Sequence, residues 1–129
     1  MLGEVMEIVA GRRFASQAAT LTGFRRLLLR GAVYPVVVPA AGESVRGVLW
    51  SGLDAEALAV LDRFEDACYE RLVLPVTLAA GERCDAFVYV LRPEQHALAS
   101  DAPWEEADFR ARHLRDYLAA CRAFAREDA

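Results

Sequence analysis

Two runs of β-type residues, "YERLVLPVTL" (69–78) and "CDAFVYVL" (84–91), are separated by only five residues, "AAGER". A link that short joins antiparallel neighbours, because parallel strands need a crossover of a dozen residues or more. The segment is therefore read as a β-hairpin, and the rest of the chain must fold around it. Before the hairpin comes "DAEALAVLDRFED". Asp54 is a good N-cap for a helix there, and Glu56 in the first turn suits the helix dipole. Near the start, "GEVMEIVAG" places Val5, Met6, Ile8 and Val9 at helical spacing, closed by Gly11 or a nearby residue. "FRRLLLRG" (24–31) and "VRGVLWSG" (45–52) read as strands, and Gly47 inside the second suggests a bulge or the close approach of another group. Between them, "AVYPVVVPAAGES" is extended with an irregular start. The tail, "PWEEADFRARHLRDYLAACRAFARE", reads as one long amphipathic helix with Pro103 in its first turn. Its apolar stripe is Phe109, Leu114, Tyr117, Leu118, Cys121 and Phe124. The order helix, strands, helix, hairpin, helix gives an α+β chain whose mixed or antiparallel sheet curls around its own core.

Composition narrows the function classes. A length of 129 residues fits a single domain, 1–129. The net charge is -4, and the 15 basic residues are all Arg. No basic tract is dense enough to neutralise a phosphate backbone, so nucleic acid is not an expected partner. The short "GRR" and "FRR" runs are assigned to solvated faces. No apolar run is long enough to span a membrane, and no secretory leader pattern is present. Cysteines 68, 84 and 121 are odd in number and lack CxxC spacing. That points to reduced thiols in a cytoplasmic setting and away from a zinc site.

The acidic pair in "FEDACYER" (64–71) is out of place between a helix and a β-type strand. On a helical wheel Glu65 falls about 20° from Leu58 and about 40° from Leu61. Asp62 lies about 60° away, at the edge of the same face. Two readings stand. The helix can end near Phe64, with Glu65 in water or paired with an arginine such as Arg63 or Arg71. Alternatively, Glu65 is a pocket carboxylate of raised pKa that works as a proton shuttle.

The run "VRGVLW … LDAEALAVLDRFEDACYERLVLPVTL … CDAFVYV" resembles the γ-glutamylcyclotransferase-like superfamily. The family includes γ-glutamylamine cyclotransferases and many bacterial members. Its G-x-[LIV]-[YW] element corresponds to Gly47–Trp50, its L-D-x-[FLY]-E-x-x-x-Y-x-R element to Leu61–Arg71, and its [FWA]-V-Y element to Phe87–Tyr89. "YPVVVP" is similar to the family's Y-P element, and the likeness runs in order over roughly residues 2 to 125. The resemblance implies a small closed or nearly closed β-barrel with flanking helices and a cavity at one end. It implies that Glu65 faces that cavity as the catalytic general acid and base. The implied reaction is intramolecular cyclisation of a γ-glutamyl amide or amine, releasing 5-oxoproline and a free amine. The implied partner is a small γ-glutamyl molecule, with neither a metal nor an organic cofactor. One element is missing. The family's Y-G-[TS]-L loop, a nest of backbone N–H donors for anions, would fall immediately before Met1. The expectation is a domain that is incomplete at its N-terminus. The alternative is a non-catalytic small-ligand-binding or protein-interaction domain of the same fold.

Tyr34 and Tyr89 are the candidate substrate-binding residues. The competing reading for Tyr89 is core packing on a period-2 strand, and for Tyr34 a hydrophobic cover beside Pro35. Tyr69 and Arg71 read as structural, fixing the helix-to-strand turn. Trp50 reads as a core residue, with the cavity mouth as the alternative, and Cys68 as an inert thiol, with the pocket rim as the alternative. His96 and His113 have no partner pattern for a triad, and no glycine-rich phosphate loop is present.

Overall fold

The computed structural model describes residues 1–65 and 67–128; Asp66, the second acid of the "FED" motif and the expected end of the second helix, lies outside them. Helix α1 spans Gly3–Ala10 and closes at Gly11, whose φ of 77° lets its N–H reach Glu7 O at 3.0 Å. Two long strands follow, β1 (Ala15–Leu29) and β2 (Pro35–Ser51). Helix α2 spans Ala55–Phe64, with the Asp54 side chain accepting from Ala57 N at 2.9 Å as the capping pattern requires. The hairpin is β3 (Tyr69–Leu78) and β4 (Arg83–Leu91), in register from Tyr69↔Leu91 to Thr77↔Arg83. A 3-10 turn at Pro93–Leu98 leads into β5 (Ala99–Pro103), then α3 (Glu106–Arg112) and α4 (Leu114–Asp128). Among the described residues no helix is long and apolar enough to cross a membrane.

The fold is mixed α+β, with one five-stranded sheet flanked by helices. All of its strand pairs are antiparallel. The strand order is β2-β1-β3-β4, with β5 on β1. β1 and β3 are joined by only two residue pairs, Ala19↔Leu78 and Thr20↔Thr77. The outer edges of β2 and β4 pair with no described strand, so of the closed or nearly closed barrel expected, the sheet takes a form that curls without closing. Val48, Val73 and Phe87 are left 47%, 60% and 55% exposed along the resulting trough.

Several local expectations change. The strands expected at 24–31 and 45–52 are parts of much longer ones. The small and polar run at 15–22 carries no apolar alternation, and pairing along β2 fixes it as strand instead. Gly47 pairs regularly with Ala19 and is not a bulge. The irregularity lies between Thr22↔Ser44 and Phe24↔Pro39, where Gly23 alone stands against residues 40–43. Gly23 has a φ of 86°, a region open to glycine and strained for other residues. Pro103 is not in a helix. It ends β5, paired with Leu27 on a short edge strand where its missing N–H is tolerated. The tail helix breaks at His113, where φ is -129°. In a straight helix Phe109 and Tyr117 would stand about 80° apart. The break lets their rings meet edge-on at 5.4 Å.

Two apolar clusters hold the fold. Leu27, Leu29, Val36, Val38, Tyr69 and Leu91 pack together, joining the two hairpins. Val5, Met6, Val9, Leu61 and Cys121 join α1, α2 and α4. Each leucine buried there is worth about 1.5–3 kcal/mol. The helical cluster fixes where α2 ends, and that end forms one wall of the trough.

Candidate active site

Leu61 is buried under α1 and α4, which anchors the last turn of α2. The helix stops one turn later. Glu65 is its C-cap, with an extended backbone (φ -69°, ψ 142°) and its N–H on Leu61 O at 2.9 Å. The helix therefore ends near Phe64, as one reading had it. The Glu65 side chain is half-buried and lines the trough, so that reading's solvated carboxylate does not follow. The trough is an open cleft of about 1560 Å³. Its volume exceeds the usual small-molecule pocket because the sheet edges beside it are unpaired.

All four tyrosines of the chain line the cleft: Tyr34, Tyr69, Tyr89 and Tyr117. Glu65, Tyr34 and Tyr89 are thus brought to one place. The Tyr34 and Tyr117 rings lie 6.1 Å apart, and Tyr69 donates its hydroxyl to Pro35 O at 3.2 Å. Burial pushes the phenols of Tyr69, Tyr89 and Tyr117 well above the ordinary value, and the Glu65 carboxylate adds to the effect on all three. These groups therefore stay neutral and polar near physiological pH. Tyr89 makes a short bond, donating to Asp62 Oδ1 at 2.5 Å. Arg71 Nε reaches the same oxygen at 3.3 Å, and its guanidinium lies 4.4 Å over the Phe87 ring. The Tyr89 proton is thus committed to Asp62. Its oxygen lone pairs remain to accept a hydrogen bond from a donor in the cleft.

Trp50 packs against the helical cluster as expected and also borders the cleft, where its Nε1 donates to Met1 O at 3.3 Å. Five arginines line the cleft: Arg26, Arg46, Arg63, Arg71 and Arg110. The solvated placement expected for "FRR" fails at Arg26, whose guanidinium lies 4.8 Å over the Trp104 ring. The cause is the irregularity at Gly23, because one unpaired residue swaps the faces of the strand. Ala19 and Leu21 face the cleft before it; after it Arg26 does, while Arg25 and Leu27 turn to the other side. That other side holds a smaller hollow of about 450 Å³, lined by Arg25, His96 and Asp101 among others and lacking the tyrosines. Among the described residues no group of three or more His, Cys, Asp or Glu side chains is placed to hold a metal ion.

The family described as gamma-glutamyl cyclotransferase, AIG2-like, matches residues 1–111. The chain belongs to this family. Among its relatives, AIG2-like protein D of Arabidopsis thaliana is 30% identical over 129 residues, covering 98% of this chain and 84% of the relative. AIG2-like protein C of the same plant is 29% identical over 127 residues, covering 94% and 70%. Solved structures of similar fold include a solution structure of an A. thaliana protein, with a TM-score of 0.68 at 24% identity over 92% of this chain and 80% of that one. A crystal structure of an uncharacterised Homo sapiens protein has a TM-score of 0.62 at 16% identity, covering 95% and 80%. At such identities the likeness shows the shared fold alone.

Two cleft residues of this AIG2-like chain escaped the sequence reading. Tyr117 was visible only as one member of an apolar stripe on a helix. Arg26 looked like half of an exposed basic pair. The phenol at the end of an otherwise aliphatic stripe was the available signal for Tyr117; for Arg26 there was none, because its facing depends on a register shift.

Proposed function

We propose that this AIG2-like protein cyclises a small γ-glutamyl amide or amine to 5-oxoproline, with Glu65 as general base and acid. One observation carries the reading: a single half-buried carboxylate stands at the end of α2 among neutral phenols, in the cleft of a chain from this family. The substrate brings its own nucleophile, the α-amine, which is mostly protonated near neutral pH. Glu65 takes one proton from the ammonium, and the free amine attacks the γ-carbonyl of the same molecule. A new C–N bond closes the five-membered lactam. The bond to the leaving amine then breaks as its nitrogen takes the proton held on Glu65; the freed carboxylate takes the second proton from the ring nitrogen and passes it to the departing amine, which leaves as its ammonium. Proximity supplies much of the rate, since both reacting groups lie on one chain folded in the cleft. Tyr89, its own proton given to Asp62, offers lone pairs to the ammonium N–H. Tyr34 closes the other side of the cleft and contacts the substrate there.

The test is release of 5-oxoproline from a panel of γ-glutamyl amines and dipeptides by the wild-type protein and by Glu65→Gln. The glutamine keeps the size of the side chain and cannot accept the proton. Turnover is expected to fall by about 10²-fold or more. Wild-type turnover in a folded Glu65→Gln protein would end the assignment.

A second reading, ligand binding without turnover, is favoured by the unpaired edges of β2 and β4, which leave the cleft open to water. Saturable binding of a γ-glutamyl compound with no 5-oxoproline released would establish it.

A further inference from the structure

Most cations of the cleft are already committed. Arg63 pairs with Asp128 at 2.7 Å, Arg71 with Asp62, and Arg110 with Glu4 at 2.6 Å and with Glu106 at 3.0 Å. Arg46 is exposed. Arg26 differs from all of these. It is half-buried, lines the cleft and makes no ion pair with a described carboxylate. Its contacts are the Trp104 ring at 4.8 Å and the Arg46 carbonyl, which takes Nη1 at 3.5 Å.

Those contacts hold the guanidinium without using it up. Trp104 is buried, its Nε1 bonded to Val33 O at 3.0 Å and its ring 5.4 Å from Phe109, so the surface under Arg26 is fixed. Stacking on an aromatic face orients the planar fork and leaves its edges free for a carboxylate. Of the five N–H donors of a guanidinium, the Arg46 carbonyl occupies one. The position is also informative, because Arg26 and Glu65 line the same cleft. A guanidinium and a carboxylate on one cleft are complementary to the head of an amino acid, whose ammonium and carboxylate share one carbon.

We propose that Arg26, stacked on Trp104, binds the α-carboxylate of the substrate, so that the cleft recognises a free amino-acid head between Arg26 and Glu65. The proposal rests on the cyclotransferase reading above and deepens it by naming the residue that sets substrate choice. A carboxylate held at Arg26 fixes the α-carbon and turns the amine toward Glu65. A γ-glutamyl compound whose α-carboxylate is masked as a neutral amide leaves the guanidinium without its partner and is discriminated against.

The experiment compares the γ-propylamide of L-glutamic acid with its α-carboxamide counterpart, on wild type, Arg26→Gln and Arg26→Lys. Wild type is expected to prefer the carboxylate by about 10²-fold in kcat/KM, a preference that charge-assisted bidentate contacts can supply. In Arg26→Gln most of that preference is lost, through KM and with little change in kcat. Arg26→Lys keeps the charge without the fork and recovers part of it. A folded Arg26→Gln protein that retains the preference overturns the proposal while leaving the role of Glu65 intact. If Arg26→Gln does not fold, Arg26→Lys decides, and a wild-type KM in that variant overturns the proposal. If wild type turns over neither compound, the cyclotransferase reading has failed separately, and calorimetric titration with 5-oxo-L-proline decides. Binding to wild type that is lost in the variant supports the carboxylate site; absent or unchanged binding overturns it.

Discussion

The Tyr89 hydroxyl donates to Asp62 Oδ1 across 2.5 Å, tying β4 to α2 less than one turn before Glu65. The bond fixes the height of the hairpin against the helix end. Tyr89→Phe should destabilise the fold by about 1.5–3 kcal/mol, the range for a hydrogen bond to a charged acceptor. Asp62→Asn should weaken both this bond and the Arg71 contact at 3.3 Å. A double-mutant cycle by urea unfolding should return a coupling of about 1 kcal/mol. Strict additivity would show that the two groups do not act on each other.

Glu65→Gln should leave the unfolding temperature unchanged or slightly higher. The substitution removes a partly buried charge and opens no cavity. A carboxylate that served mainly as a structural ion-pair partner would give the reverse, a loss of stability. Thermal unfolding of the two proteins side by side distinguishes the outcomes.

Acid should weaken the contact between α1 and α3. Arg110 holds the Glu4 carboxyl below its ordinary value of 4.5, chiefly through their hydrogen bonds. A depressed folded value means that the stabilisation is present above 4.5 and is lost as pH falls through the lower folded value. Both side chains are well exposed, so solvent screening limits the contribution to about 0.5 kcal/mol. Glu4→Gln should remove that part of the stability at neutral pH and flatten the acid limb of a pH–stability curve. An unchanged acid limb would show that the pair contributes nothing.

Gly23 and Gly47 should respond in opposite ways to alanine. Gly23 sits at φ 86°, where a side chain is strained, so Gly23→Ala should cost about 1 kcal/mol or more. Gly47 has no positive φ, and a Cβ there would meet nothing within 4 Å. Gly47→Ala should be neutral, or stabilising by about 0.5 kcal/mol. Equal losses at both positions would contradict this account of the strand register.

What was legible in the sequence was local. The Asp54 cap, the Gly11 stop and the 69–91 hairpin each depend on a few neighbouring residues, and all three stand where the chain predicts them. Glu65 was conspicuous because a carboxylate broke an apolar pattern. The long-range geometry was not legible. The facing of Arg26 depends on residues 40–43 having no partner across from Gly23, a register choice that no short window contains. The break at His113 brings Phe109 and Tyr117 together edge-on, which a periodicity count over a continuous helix cannot anticipate. The resemblance implied a closed or nearly closed barrel, and the sheet is the open case, because closure needs a strand between β2 and β4 and no described segment fills that place.

The seam between β1 and β3 spans two residue pairs, while each flanking hairpin is zipped along most of its length. Mechanically, the sheet resembles two stiff leaves on a short spine. Arg26 belongs to one leaf and Tyr89 to the other. A ligand that touches both therefore bridges the two leaves, adding a crosslink to the two backbone rungs, the buried cluster of Leu27, Val36, Tyr69 and Leu91, and the Tyr69 hydroxyl on Pro35 O.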